Sequence, residues 1–353
     1  MLGRADLLTI AAALAITLLA GVLHVMGAGA VVEFVAAGAG LAILATLVGR
    51  ATEQLGERLG PGATGVLQSA LGNLPELFVG IFALRKGLVE VVQASLVGSI
   101  LGNSLLVLGL AFLIGGLRNG TQRFASEPPR MIATLALLAV AALAVPTLAV
   151  GLHTPAGRHA ESLSVACAIV LLVIFALSIP FSLRGGGSAV PAHGETDAPH
   201  VWPLAVAAGV LAGSGIGAAL VSDWFVGALE GATASLGLSQ AFTGLVVVAI
   251  AGNAVENVVG IQLAARNKPD YAVSVILNSS LQVALGLAPV LVLLSFVIGG
   301  EHLTLVLRPL LVAALGMAGI IGAVIVFDGE STWLEGAILI GLYGMIAASF
   351  WWG

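Results

Sequence analysis

The chain has 353 residues, 59% of them hydrophobic and 9% charged, with a formal net charge of −5 and a mean hydropathy of +1.11. So few charges cannot cover a water-soluble surface, and the expected class is an all-α polytopic membrane protein embedded in a lipid bilayer. The slight negative charge gives no footprint for nucleic acid, and one cysteine, Cys167, excludes an intramolecular disulfide.

A helix needs about 20 mostly apolar residues to cross ~30 Å of hydrocarbon. Eleven runs qualify: 7–27, 30–49, 61–84, 88–116, 130–151, 160–183, 202–228, 240–264, 272–298, 306–327 and 332–352. The first run follows Arg4 and ends near "GAGA", as a secretory signal would, but it is long for one and is read as a retained helix. The longest polar break is "RGGGSAVPAHGETDAP" at 184–199, a Gly/Ser/Pro tether between two halves. The expected plan is therefore an extra helix (1–29), a first five-helix repeat (30–183), a cytoplasmic linker (184–201) and a second five-helix repeat (202–353).

Basic residues orient this plan. The side holding the N-terminus collects Arg4, Arg50, Arg58, Arg118, Arg123, Arg130, Arg184, Arg266 and Lys268, against Arg85, Lys86, Arg158 and Arg308 on the other. That asymmetry places the N-terminus and linker in the cytoplasm, with a plasma (inner) membrane as the expected location.

The third run contains "LGNLPELFVGIFALRKG" (71–87) and the eighth "AGNAVENVVGIQLAARN" (251–267). Sliding the chain by 180 residues lays Gly72, Asn73 and Glu76 on Gly252, Asn253 and Glu256, and Ser99 on Ser279. Five crossings separate the two motifs, and five is odd, so the copies are expected to run in opposite directions, as in inverted-repeat transporters. Asn and Glu at i and i+3 share a helix face. Carboxylates at membrane depth mark an ion path. Pro75 removes a helical hydrogen bond, so the first motif is expected to interrupt its helix and turn carbonyls toward a cavity. Gly80 and Gly260 are read as packing residues.

With oxygen donors and neither Cys nor His near the motifs, the site suits a hard cation, and two carboxylates would neutralise Ca²⁺. The fourth run adds Gln93, Ser95, Ser99, Asn103 and Ser104, and the ninth Ser274, Asn278, Ser279, Ser280 and Gln282. Gln93 and Gln282 are read as cavity-lining. Asp223 and Glu230, near a span end, are weaker candidates for a vestibule.

"GNLPELFVGIFALRKGLVEVVQASLVGSILGN" (72–103) closely resembles the first alpha-repeat of the calcium/proton exchangers in the cation/calcium exchanger superfamily, and "GLVVVAIAGNAVENVVGIQLAARNKPDYAVSVILNSSLQVAL" resembles the second. The resemblance implies antiport of a cation, usually Ca²⁺, against protons by alternating access. It makes Glu76 and Glu256 the shared carriers of cation and protons, with Asn73, Asn253, Gln93, Ser99, Ser279 and Gln282 around them. It implies no cofactor beyond the transported ion. The chain has Asn257 where family members commonly carry His, and Asn278 where they carry Gly; Na⁺, K⁺ and Mn²⁺ therefore stay beside Ca²⁺ as cations to test. A channel filter and the H-E-x-x-H and G-x-S-x-G motifs of membrane hydrolases are missing from the sequence, so a transporter is expected and not an enzyme.

Overall fold

The computed structural model describes residues 3–59, 71–124, 127–184 and 202–352; within these, the side chains of residues 57–59, 127–129, 180–184 and 255–256 lie outside the description. Most of the expected linker and the first ten residues of the expected third span therefore fall outside it.

The chain is helical nearly throughout. In order come α1 (Arg4–Met26), α2 (Ala30–Leu59), α3 (Leu74–Arg85) and α4 (Val89–Asn119), then α5 (Glu127–Gly151), α6 (Ala160–Arg184) and α7 (Leu204–Leu236). The remainder are α8 (Gln240–Gly252), α9 (Ala254–Ala265), α10 (Pro269–Ile298), α11 (Pro309–Asp328) and α12 (Trp333–Ser349). Two dipeptide strands, β1 (Gln122–Arg123) and β2 (Glu330–Ser331), pair antiparallel and join the turns after α4 and α11. Among the described residues, eight helices are long and apolar enough to span a bilayer, nine if α8 and α9 form one bent span, and α12 is a shorter apolar helix. Lipid-length apolar helices, many with exposed leucines and valines, are what a bilayer solvent selects.

The 180-residue repeat is visible in the backbone. α3 and α9 are 12 residues each, begin at matched positions 74 and 254, and are followed at matched positions by α4 and α10. The residue before each is an asparagine of the same shape, Asn73 at φ −95°, ψ 22° and Asn253 at φ −92°, ψ 19°. The turn after each also matches: Gly87 (φ 74°) and Asn267 (φ 58°) both adopt the left-handed backbone that glycine and asparagine tolerate.

The two copies point opposite ways. α4 is 31 residues long, or about 46 Å at 1.5 Å per residue. α3 ends beside the start of α4, where Leu84 O approaches Gly300. α9 ends beside the finish of α4, where Asn119 Nδ2 donates to Ala264 O at 3.2 Å and Gln122 Nε2 to the same oxygen at 2.9 Å. Both half-helices start near the middle of α4 and diverge.

The long helices α2 and α7 pack along one another, with α1 against their outer side. At the end of the molecule where α9 finishes, Asp6 accepts from Gly3 N–H (3.0 Å), Arg50 (3.1 Å) and the Trp202 indole N–H (3.1 Å). This carboxylate joins α1, α2 and the approach to α7. The opposite end carries Arg85, Lys86 and Arg308, with Arg308 paired to Glu90 at 2.7 Å.

Candidate functional site

The two motifs meet in the buried interior of the molecule. Asn73 and Asn253 close the breaks that precede α3 and α9, and Ser99 and Ser279 each lie ten residues into α4 and α10, about 15 Å along helices of some 45 Å. Irregular helix gathers at this level: α4 has a π-helical turn at Gly102–Val107, α8 one at Thr243–Val248 and α10 one at Val283–Leu287. Such turns displace the ladder and recur at functional sites.

A buried network of amides and hydroxyls fills the centre. Asn253 Nδ2 donates to Ser99 Oγ at 2.9 Å, and Asn103 Nδ2 donates to Asn253 Oδ1 at 3.2 Å and Ser279 Oγ at 3.0 Å. Ser279 Oγ also donates to Asn253 Oδ1 at 3.4 Å, while Asn73 Nδ2 reaches Gln282 Oε1 at a long 3.5 Å. Ser104 and Ser280 exchange a hydrogen bond at 3.1 Å. The bonds cross between the halves in separate groups, Asn253 with Ser99, Asn103 and Ser279, Asn73 with Gln282, and Ser104 with Ser280. Asn103, Ser104 and Ser280 are three members that the sequence offered as polar residues without assigning them a place.

Glu76 is the third residue of α3 and lies against the opposite motif: a Cβ added to Gly252 would sit 2.7 Å from Glu76 Cγ and 3.0 Å from its Oε1. Gly252 is therefore the hydrogen-sized gap that admits the first carboxylate to the second motif. Beside it lies a narrow cavity of about 10 Å³, the size of roughly one water, lined by Glu76, Ser95 and Ser99 and otherwise by apolar residues such as Val79, Phe225, Leu287 and Leu291. Glu256 holds the matched third position of α9, and its side chain lies outside the described residues. Starting two helices at this level also directs their positive dipole ends at it, which favours carboxylates there when no cation is bound.

Gly80 and Gly260 are packing residues, as expected: a Cβ at Gly80 would stand 2.7 Å from Leu291 and one at Gly260 2.5 Å from Ile276. Asn257 is half-buried, and its Oδ1 accepts no hydrogen bond among the described residues; the same holds for Asn103 Oδ1. Gln93 departs from the expected shell. Six residues before Ser99 on a helix turns the side chain by about 240° and shifts it by about 9 Å; its Nε2 donates instead to Thr304 O at 2.9 Å and Val306 O at 3.1 Å. Asp223 and Glu230 are exposed on α7. A wider cavity lies at the α3–α4 turn, lined by Glu90, Gln93, Gln240, Glu301 and Arg308.

With this geometry in place, the similarities of the chain are informative. The family model described as sodium/calcium exchanger protein matches residues 29–184 and 206–352. The chain is 37% identical to the Ca²⁺/H⁺ antiporter of Synechocystis sp. over 348 residues, covering 93% of this chain and 92% of the relative. It is 36% identical to the Ca²⁺/H⁺ antiporter ChaA of Bacillus subtilis, covering 87% and 88%. Among solved structures, native YfkE superposes with a TM-score of 0.82 at 32% identity, over 97% of this chain and 99% of that one. An H⁺/Ca²⁺ exchanger, CAX, shares the fold at a TM-score of 0.72 and 13% identity, over 98% and 92% of the chains.

Proposed function

The chain belongs to the sodium/calcium exchanger protein family, and from that premise we propose that it is a secondary active antiporter that exchanges Ca²⁺ for H⁺ across a membrane. It is a transporter and not an enzyme. Relatives at 36–37% identity bear the name Ca²⁺/H⁺ antiporter. The observation that carries the residue-level reading is the approach of Glu76 to Gly252, which brings one motif's carboxylate onto the other motif from an oppositely directed half.

In this mechanism Glu76 and Glu256 serve cation and protons in turn. Ca²⁺ takes 6–8 oxygen ligands, and the two carboxylates, the carbonyl oxygens of Asn73 and Asn253, and the hydroxyls of Ser99 and Ser279 supply that chemistry. Gln282 positions Asn73, and Asn103 orients Asn253 and Ser279. An empty pair of carboxylates is costly in low dielectric, so the two halves exchange access only when cation or protons neutralise them. Residues 30–183 and 202–353 are the two halves, with the N-terminus and linker cytoplasmic in a plasma membrane.

The test is cation flux into sealed vesicles containing the purified chain, with and without an imposed pH gradient, for Ca²⁺, Mn²⁺, Na⁺ and K⁺. Ca²⁺ uptake driven by an outward proton gradient, with matching proton release, is the expected result. Lowering pH on the Ca²⁺ side should raise the apparent KM with little change in the maximal rate; an effect confined to the maximal rate would mean that protons do not share the cation's carboxylates.

A further inference from the structure

Residues 303–307, between α10 and α11, are extended rather than helical, with Leu303, Leu305 and Leu307 buried and Thr304 and Val306 half-buried. Buried backbone outside a helix needs partners for its polar groups, and side chains from four helices provide them. Ser295 of α10 accepts from Leu303 N–H at 3.0 Å, Ser164 of α6 from Leu305 N–H at 2.9 Å, and Thr147 of α5 from Leu307 N–H at 2.8 Å. On the other edge, the Gln93 carboxamide of α4 donates to the carbonyls of Thr304 and Val306. Three side chains of the first half, Gln93, Thr147 and Ser164, thus grip a strap of the second.

Gln93 lines the outer of two spaces. The outer one is a cavity of about 390 Å³ that includes Gln93 and Ala94 of α4 and Gln240 and Ala241 of α8. The inner one is the cation cavity, lined by Ser99 of α4 and by Val248 and Gly252 of α8. Between those residues on both helices the backbones touch: a Cβ on Gly98 would meet Leu245 O at 2.1 Å, and one on Gly244 would meet Val91 O at 2.5 Å. One layer of backbone separates outer cavity from site.

We infer that Gln93 is a positioning residue of the transport cycle: its two bonds tie α4 to the strap, and outer cavity and cation site connect only when those bonds release and α4 moves off α8. The residue at the matched repeat position is Val273, which has no donor, so this latch exists at one end of the molecule only. The inference rests on the antiport reading given above.

The experiment uses the full chain in vesicles of known orientation, with initial Ca²⁺ rates measured on each face. Gln93→Glu keeps the shape and removes both donors; Gln93→Lys keeps a donor. Releasing the latch favours the state open at the strap end, so Gln93→Glu should lower the apparent KM on that face relative to the opposite face by about threefold or more, and lower the maximal rate. Gln93→Lys should return the ratio toward that of the unmodified chain. A ratio unmoved by Gln93→Glu, or moved equally by both, overturns the inference. If Gln93→Glu does not fold, Thr147→Val, which removes the contacts to Leu305 and Leu307, should shift the ratio in the same direction, and no shift overturns it. Absence of Ca²⁺/H⁺ exchange in the unmodified chain would instead sink the antiport reading. The latch is then read by deuterium uptake across 303–307, which must rise in Gln93→Glu for the inference to stand.

Discussion

Glu76 and Gly252 form one device made of two residue types that usually mean different things. The carboxylate supplies charge, and the glycine supplies the room that lets it reach the other motif. Removing the charge while keeping the shape should abolish transport: Glu76→Gln, and equally Glu256→Gln, should insert normally and show Ca²⁺ flux at background in vesicles, because an amide cannot exchange a proton for a cation. Near-normal flux in either would refute a shared site. Gly252→Ala should act more mildly. A methyl group 2.7 Å from Glu76 Cγ must push that side chain aside, and an expected loss of about 1.4 kcal/mol in cation binding appears as a tenfold rise in KM, measured with folding monitored by gel filtration. At this scale the sequence was largely legible, since Asn and Glu at a 180-residue spacing stand out from apolar surroundings. Gln93, read as cavity-lining, lines the wider cavity and bonds the segment between α10 and α11, because six residues of helical rotation from Ser99 turn it away from the serine.

At the level of elements, the breaks before α3 and α9 carry the clearest lesson. Pro75 made an interruption legible in the first motif, yet the second breaks at the same position with Val255 in place of proline, and the two asparagines share one backbone shape. Gly-Asn, present in both, is the common sequence at the break. Proline in the first turn of a helix is tolerated because its missing N–H would have no helical partner there, so Pro75 reinforces a turn it does not cause. Pro75→Ala should therefore keep Ca²⁺ exchange within about twofold and cost stability only about 0.4–1 kcal/mol, the usual value of restricting the unfolded chain, read as a small drop in melting temperature. Loss of transport would show that proline makes the break. The strap was hidden for a different reason. "LTLVL" alternates with the period of two that marks extended chain, but four apolar residues of five, beside a long apolar helix, give that period little to stand against, and the hydroxyls that satisfy its amides come from Thr147 and Ser164, about 140 to 160 positions away.

For the whole molecule, the opposed directions of α3 and α9 fix which loops share an end. Arg50, Arg118, Arg123 and Arg266 gather with the N-terminus, while Arg85, Lys86 and Arg308 lie at the strap end. Cysteine labelling from one side of sealed vesicles should therefore modify positions in the 184–201 linker from the cytoplasmic face and position 304 or 353 from the other; labelling of both from one face would remove the inverted arrangement. The all-α membrane class was legible from composition and run lengths, because hydrocarbon thickness sets a minimum length; eleven runs met it in the sequence, and among the described residues eight helices do, or nine with α8 and α9 as one span. Which helices touch was not legible, because apolar runs of similar composition carry no address; α2 against α7 is decided by packing.

The Asp6 carboxylate has a consequence for how the protein can be assembled. It binds Arg50 of the first half and Trp202 of the second at one point, and Trp202 N–H also donates to Gln54 at 2.6 Å. The start of the second half is thus clamped to α1 and α2 by contacts that do not pass through the covalent connection at 185–201. A gene divided there, with each fragment translated separately in one cell, should yield two polypeptides that co-purify and together restore Ca²⁺ uptake. Asp6→Ala should weaken that complementation far more than it weakens the uninterrupted chain, since only the divided protein depends on the clamp to find its other half. Fragments that fail to associate with Asp6 intact would show that the connection, and not the clamp, holds the halves in register.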